Sequence, residues 1–304
     1  MILITGAAGK TGRAILSRLV THGVRVRSLV RTEAQKNAIK KIGNLEIIIG
    51  DLRDQATLER AVEGIRKIYF ISPNMAPDEF EIGDSLINLA QKAGVDRFVY
   101  HSVMHPHVES MPHHWQKMRV EEKIFESGID FTILQPCAYM QNILPNWKSI
   151  YEESVYTVPY ATSARISMVD LEDVAAAAET VLTQLNHSNA IYELAGPEAL
   201  SQVAVAEAMS TVLNKPVRAE ELNRAVWADN AHRSGLNENS IRTLRLMFEY
   251  YENFGFSGNA NILNYLLKRP ATKFSEFLRR IYTADQRIRA NGNHIGIKET
   301  SNGQ

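Results

Sequence analysis

Apolar positions in the first half of the chain change their period at regular intervals. Ile2, Leu3 and Ile4 form a short apolar run. Ile15, Leu16, Leu19 and Val20 then recur at the spacing of one helix face. Residues 24–30 alternate apolar side chains with Arg25, Arg27 and Ser28 and predict a strand. The same alternation of short runs and helical stretches continues. Strands are predicted at 45–49, 67–71, 97–102 and 131–135, with helices at 33–41, 54–62, 78–93 and 111–126 between them. Strands such as Ile47-Ile48-Ile49 are apolar on successive positions, as a strand covered on both faces must be.

Strands separated by helices of this length form βαβ units. The expected fold is therefore α/β, a doubly wound parallel sheet of the Rossmann kind. After Pro136 the pattern loosens. A strand at 166–169 precedes Asp170, which can cap a helix running to about residue 183, and a further strand spans 191–194. Helices are predicted at 201–213, 220–231, 239–251 and 273–282. Residues 1–135 are expected to form the unit that carries this sheet, with 164–195 returning to it. Residues 136–163 and 196–283 should form a smaller, mostly helical C-terminal substrate domain, and the polar segment 284–304 a mobile tail.

Composition narrows the function. The 304 residues include 34 basic and 34 acidic side chains, so the formal net charge is zero and a nucleic-acid partner is not expected. The balance is uneven along the chain, however. Residues 1–60 hold eleven basic and five acidic side chains. The excess of six positive charges lies where the first strand–turn–helix sits, and would draw a small anion. One cysteine, Cys137, excludes an internal disulfide and reads as a small buried hydrophobe. No apolar run is long enough to span a membrane, and the first residues lack the pattern of a secretory leader. A cytoplasmic location without membrane partners is expected.

The first strand runs into Thr5-Gly6-Ala7-Ala8-Gly9-Lys10-Thr11-Gly12, and a helix follows. Glycines spaced in this way, between a strand and a helix, form a turn that brings backbone N–H groups and a helix dipole onto a pyrophosphate. Thr5, Gly6, Ala8, Gly9, Lys10, Thr11 and Gly12 are the candidate phosphate-side residues. The second strand ends at Arg31, where an NAD site carries an acid for the ribose 2′-OH. A guanidinium there favours a 2′-phosphate, hence NADP(H) over NAD(H). Asp51 and Leu52 follow the third strand and are candidates for the adenine, while Ser72 and Pro73 follow the fourth and face the ribose.

The segments ILITGAAGKTGRAIL, GDLRDQATLERAVEGI, RFVYHSV, HHWQKMRVEEKIFESGIDFTILQPCAYMQN, SMVDLEDVAAAAETVL and IYELAGPEALS together resemble the NmrA-like family. This family is an atypical branch of the short-chain dehydrogenase/reductases. The resemblance covers most of residues 1–213 and implies an NAD(P)-binding Rossmann domain with a small domain closing a substrate cleft. It implies one of two functions. The first is an NAD(P)H-dependent oxidoreductase of a flat organic acceptor such as a quinone. The second is a non-catalytic NADP(H)-sensing regulator that binds a partner protein.

Members of the wider superfamily place tyrosine and lysine four residues apart on one helix. Here Lys117 stands at the lysine position, but His113 replaces the tyrosine. Lys117 is the candidate for the nicotinamide ribose, and His113 or His114 for the proton donor. Ser102, ending the fifth strand, is a candidate wall of the nicotinamide pocket. Tyr139, in the segment Tyr139-Met140-Gln141-Asn142 after the sixth strand, is either a wall of the cleft or a replacement donor. Trp147, Tyr151, Tyr156 and Tyr160 supply either surface for an aromatic or quinone-like substrate or the core of the second domain. Five histidines fall between positions 101 and 114 without a zinc spacing, so no metal site is expected.

Overall fold

The computed structural model describes residues 1–290. The strands are β1 (Ile2–Ile4), β2 (Val26–Val30), β3 (Glu46–Ile49), β4 (Lys67–Phe70), β5 (Arg97–His101), β6 (Phe131–Pro136), β7 (Ala138–Tyr139), β8 (Val155–Val158), β9 (Arg165–Val169), β10 (Ala190–Leu194), β11 (Ala199–Ser201) and β12 (Arg218–Glu221). The first five helices are α1 (Lys10–Thr21), α2 (Glu33–Lys40), α3 (Gln55–Val62), α4 (Glu79–Lys92) and α5 (Pro112–Ser127). A 3₁₀ stretch, Met140–Asn146, leads into α6 (Trp147–Glu152), followed by α7 (Leu171–Thr183) and α8 (Gln202–Leu213). The last are α9 (Arg224–Arg233), α10 (Glu238–Phe254), α11 (Asn261–Leu267) and α12 (Phe274–Ala290).

Seven strands form one parallel sheet in the order β10-β6-β5-β4-β1-β2-β3. The period-2 pattern explains how both faces are filled. Ile2, Ile4, Tyr69 and Val99 point to the side covered by α1, α2 and α7, while Leu3, Ile68, Phe70, Phe98 and Tyr100 point to the side of α3, α4 and α5. On the first side, Ile15, Leu16 and Leu19 of α1 share a core with Val174, Ala177, Ala178 and Val181 of α7. Alternate stacking of this kind buries apolar surface on both sheet faces and gives the sheet its rigidity.

Chain order reverses at β1, which pairs with β2 on one side and β4 on the other. That reversal opens the crevice in which doubly wound sheets bind ligands, outside the carboxyl ends of the strands. The later elements include two small sheets, β11-β9-β7 and β12-β8. They also include α10, whose Asn239 Nδ2 donates to the Met75 carbonyl, 3.3 Å away, in the segment after β4.

Several sequence expectations need correction. Ile47–Ile49 are only partly buried, because β3 is the sheet's outer strand and lacks a neighbour on one side. The helix expected at 220–231 is a strand, β12, followed by α9, which begins after Asn223 accepts from the N–H groups of Ala225 and Val226. Pro136 does not close its strand but stays paired with Leu194, since its missing N–H is not needed in that register. Within the segment expected to be a mobile tail, residues 284–290 belong to α12, and Asp285 is fully buried. Residues 291–304 lie outside the described residues. The α6 and α11 helices and the strands β7, β8, β11 and β12 were not legible, being too short to show a period.

Candidate active site

The glycine turn is built by steric exclusion. Gly6 adopts φ +59, a left-handed conformation that side chains rarely tolerate. The Gly9 N–H donates to the Gly6 carbonyl at 3.0 Å, which closes the turn. A Cβ on Gly12 would strike the Gly6 carbonyl oxygen and stand 2.7 Å from Ala7 Cα, so only glycine lets α1 begin this close to the turn. No acidic side chain occupies the first turn of α1, and the cap residue Gly9 offers no side-chain acceptor. The first N–H groups of α1 therefore remain available to an anion.

Thr5 plays a different part from the one expected. It is fully buried, and its hydroxyl donates to the Ile71 carbonyl and accepts from the Ile71 N–H, both at 2.8 Å. It thus fastens the end of β1 to the end of β4. Lys10 and Arg31 are exposed, and among the described residues neither side chain has an ion-pair partner. The Arg31 backbone is fixed by its N–H donating to Gln35 Oε1 at 2.8 Å. Asp51 accepts from the Arg53 N–H at 2.9 Å, and Arg53 forks onto Asp78 at 2.6 and 3.0 Å. This triplet joins the end of β3 to the start of α4 beside the buried Leu52. Ser72 is buried next to Pro73, and its hydroxyl has no hydrogen-bond partner among the described residues. A ligand lying at this strand's carboxyl end would give that hydroxyl a partner. Phosphate-side N–H groups, two free cations and this hydroxyl all fit a dinucleotide.

The other half of the site lies at the ends of β5 and β6. His101, ending β5, is buried between two tyrosines: its Nδ1 is 2.7 Å from the Tyr69 hydroxyl and its Nε2 is 2.7 Å from the Tyr139 hydroxyl. Burial, helped by the nearby Lys117 charge, pushes the His101 pKa down to about 3, so the ring is neutral. The Tyr139 hydroxyl also receives a long hydrogen bond, 3.5 Å, from Thr11 in the glycine turn. Burial pushes the Tyr139 pKa up, so its proton is retained at neutral pH. A tyrosine hydroxyl thus stands at the junction of the phosphate turn and the strand ends.

Lys117 lies one helical turn beyond His113 on α5. Its ammonium is 2.7 Å from Glu79 Oε1 on α4 and donates to the His101 carbonyl at 3.3 Å. Glu79 is also the acceptor of the Tyr100 hydroxyl at 2.7 Å. Ser102 is buried, its hydroxyl donating to Glu121, which Gln135 also holds at 2.9 Å. Burial raises the Glu121 pKa. His113 packs edge-on against His114 at 4.5 Å, and its Nδ1 has no partner among the described residues. Burial pushes its pKa to about 2. His114 Nδ1 donates to the His105 carbonyl at 3.1 Å, an internal role.

Trp147 and Tyr156 are core, and the Tyr156 hydroxyl donates to Gln202 at 2.9 Å. Tyr160 is partly buried and packs on Phe248 and Tyr251; Tyr251 stacks on Phe256 at 5.0 Å, and Phe256 meets His105 and His114 at 5.3 and 5.7 Å, so these further rings belong to the core as well. Gln141 is structural, bridging Asp170 and the Leu171 N–H at the start of α7. Cys137 is buried, and its thiol is pushed up to about 12. Among the described residues no group of three or more His, Cys, Asp or Glu can hold a metal, and no helix is long and apolar enough to cross a membrane.

A family model described as NmrA-like matches residues 1–280. The chain belongs to the NmrA-like family. An NAD(P)H azoreductase of Xenophilus azovorans is 31% identical over 203 residues, which is 66% of this chain and 70% of that protein. Quinone oxidoreductase 2 of Escherichia coli is 29% identical over 201 residues, with the same shares covered. The solved NADPH complex of the Escherichia coli NADPH-dependent quinone oxidoreductase matches with a TM-score of 0.81 at 26% identity, covering 93% of this chain and 100% of that one. NmrA itself, a negative transcriptional regulator solved with NAD, matches with a TM-score of 0.77 at 17% identity over 96% of this chain and 97% of that one, a likeness of fold alone.

Within this NmrA-like site the sequence missed three residues. Glu79 was signalled only indirectly, since a buried lysine requires a counter-charge. Tyr69 was hidden in an apolar strand. His101 was grouped with its neighbouring histidines, although its position at a strand's carboxyl end distinguished it.

Proposed function

We propose that this NmrA-like protein is an NADPH-dependent reductase of a flat conjugated acceptor, of the quinone or azo-dye class. The observation that carries this reading is the Tyr139 hydroxyl, held between Thr11 of the glycine turn and the neutral His101. A proton donor at that junction supplies what the missing superfamily tyrosine would have supplied. The azoreductase and quinone oxidoreductase relatives support the same class.

In this reading Gly6, Ala8, Gly9, Thr11 and Gly12 hold the pyrophosphate, and Lys10 offsets its charge. Arg31 takes the 2′-phosphate, which is the basis for preferring NADP(H) to NAD(H). Asp51 and Leu52 bound the adenine, and Ser72 and Pro73 the ribose. Residues 1–135 with 164–195 serve the cofactor, while 136–163 and 196–283 bound the acceptor. The reduced cofactor supplies a hydride when bound. Tyr139 holds the proton that completes the reduction, with His113 as a further polar contact for the acceptor. Lys117, paired with Glu79, fixes the end of β5 through the His101 carbonyl and orients the nicotinamide side of the crevice.

The test is oxidation of NADPH, followed by absorbance, with a panel of quinones and azo compounds. Turnover dependent on both protein and acceptor is expected. A regulator that senses NADP(H) and holds a partner protein would bind the cofactor tightly and oxidise none of it.

A further inference from the structure

The Tyr69 hydroxyl is fully buried, and its only hydrogen-bond partner among the described residues is His101 Nδ1, at 2.7 Å. A buried hydroxyl has one proton and loses stability if that proton finds no acceptor. Had Nδ1 carried the hydrogen, the Tyr69 oxygen would accept it and the tyrosine's own proton would be stranded. The favourable order is therefore Tyr69 O–H donating to Nδ1. A neutral imidazole carries one N–H, so Nε2 holds it and donates to the Tyr139 oxygen, 2.7 Å away.

That order has a chemical consequence. With its oxygen already accepting from His101, Tyr139 keeps its own proton free to point away from the imidazole. The same N–H would stabilise a phenolate left after the proton departs. We propose that Tyr69 and His101 are positioning residues for reduction at this site: Tyr69 fixes the tautomer of His101, and His101 presents Tyr139 as the proton donor. The inference rests on the reductase reading above. In the step it serves, the acceptor gains a hydride from the reduced dinucleotide and a proton from the Tyr139 hydroxyl. The O–H bond of Tyr139 breaks, its electron pair stays on oxygen, and water later returns the proton. Among the described residues Tyr69 has no second partner to draw a proton from, so the chain of three groups orients hydrogen atoms rather than conducting them to solvent.

Two measurements test this on the full chain. The first is ¹⁵N NMR of protein labelled in histidine, with the His101 signals assigned by their loss in His101→Gln. Neutral His101 with the hydrogen on Nε2 is expected in the wild type. A hydrogen on Nδ1, or a protonated ring at neutral pH, would overturn the proposal. The second is kinetics with NADPH and a small quinone. Tyr69→Phe, which touches neither cofactor nor acceptor in this account, should lower kcat by about tenfold and leave KM within about twofold. His101→Gln, which keeps an N–H for Tyr139 and an oxygen for Tyr69, should retain more activity than His101→Leu. Equal kcat in Tyr69→Phe and wild type, or equal losses in the two His101 variants, would reduce the triad to a structural role. If no acceptor oxidises NADPH in the wild type, the reductase reading fails and the catalytic use of the triad with it. The NMR spectrum still decides the order of its hydrogen bonds.

Discussion

The Lys117 ammonium lies 2.7 Å from Glu79 Oε1, and Glu79 is 1% exposed. The pair crosses from α5 to α4 beneath the end of β5, and the Tyr100 hydroxyl shares the same carboxylate oxygen. Lys117 is thus part of the core as well as of the crevice. Breaking a buried pair from one side leaves an uncompensated charge and costs about 3–5 kcal/mol. Glu79→Ala should therefore destabilise the fold by about that amount in urea unfolding. Glu79→Gln combined with Lys117→Met should cost clearly less than Glu79→Ala alone. An Ala variant as stable as wild type would show that the pair is not buried in solution.

Arg31→Asp separates the two dinucleotides. The substitution removes a cation with no other ion-pair partner among the described residues and adds an acid that suits a ribose 2′-OH. NADPH affinity should fall at least tenfold, as loss of a charge-assisted contact predicts. NADH affinity should hold or improve. Calorimetry on both ligands checks this, and an equal loss for both removes Arg31 from the 2′-phosphate.

Gly12→Ala tests the turn. The new methyl would strike the Gly6 carbonyl and stand 2.7 Å from Ala7 Cα, both backbone groups that cannot rotate aside. Overpacking of this kind costs about 1–3 kcal/mol. The larger effect should be on dinucleotide binding, because the start of α1 must move. Wild-type affinity in Gly12→Ala would mean that the turn relaxes freely.

These outcomes bear on how much was legible beforehand. The sheet and the glycine turn were readable because parallel strands, helix faces and glycine spacing each leave a local period. The place of Arg31 just after β2 was readable for the same reason. The proposed proton donor was harder. His113 stood at the superfamily tyrosine position in sequence, but Tyr139 and His101, 38 residues apart, meet only when β5 and β6 pair. Glu79 sits 38 residues from Lys117 for the same reason, the packing of α4 on α5. Ser102 and Thr5 end strands as expected, yet their hydroxyls turn inward to Glu121 and Ile71. Strand position does not fix the direction of a side chain at its last residue.

Acid should weaken the fold above all through three histidines, His101, His113 and His114. Their pKa values are about 3, about 2 and about 4 in the folded chain, against 6.5 ordinarily, because burial disfavours the charged ring. Below pH 6.5 the unfolded chain therefore binds protons that the folded chain does not. Stability is then fully present above 6.5 and falls as pH drops toward 4. Each histidine contributes a slope of about 1.4 kcal/mol per pH unit in that window. Urea titrations across the window should show the loss, and His114→Phe should remove one proton's share of the slope. A slope unchanged in that variant would mean that His114 is protonated in the folded chain.

The most direct measurement is steady-state NADPH oxidation by a small quinone in wild type and Tyr139→Phe, with the NADPH Kd of each determined in parallel. The account predicts turnover in wild type, a fall in kcat of about a hundredfold in Tyr139→Phe, and a Kd changed by no more than about twofold. Tight NADPH binding with no oxidation by wild type on any acceptor, or full turnover in Tyr139→Phe, would contradict it.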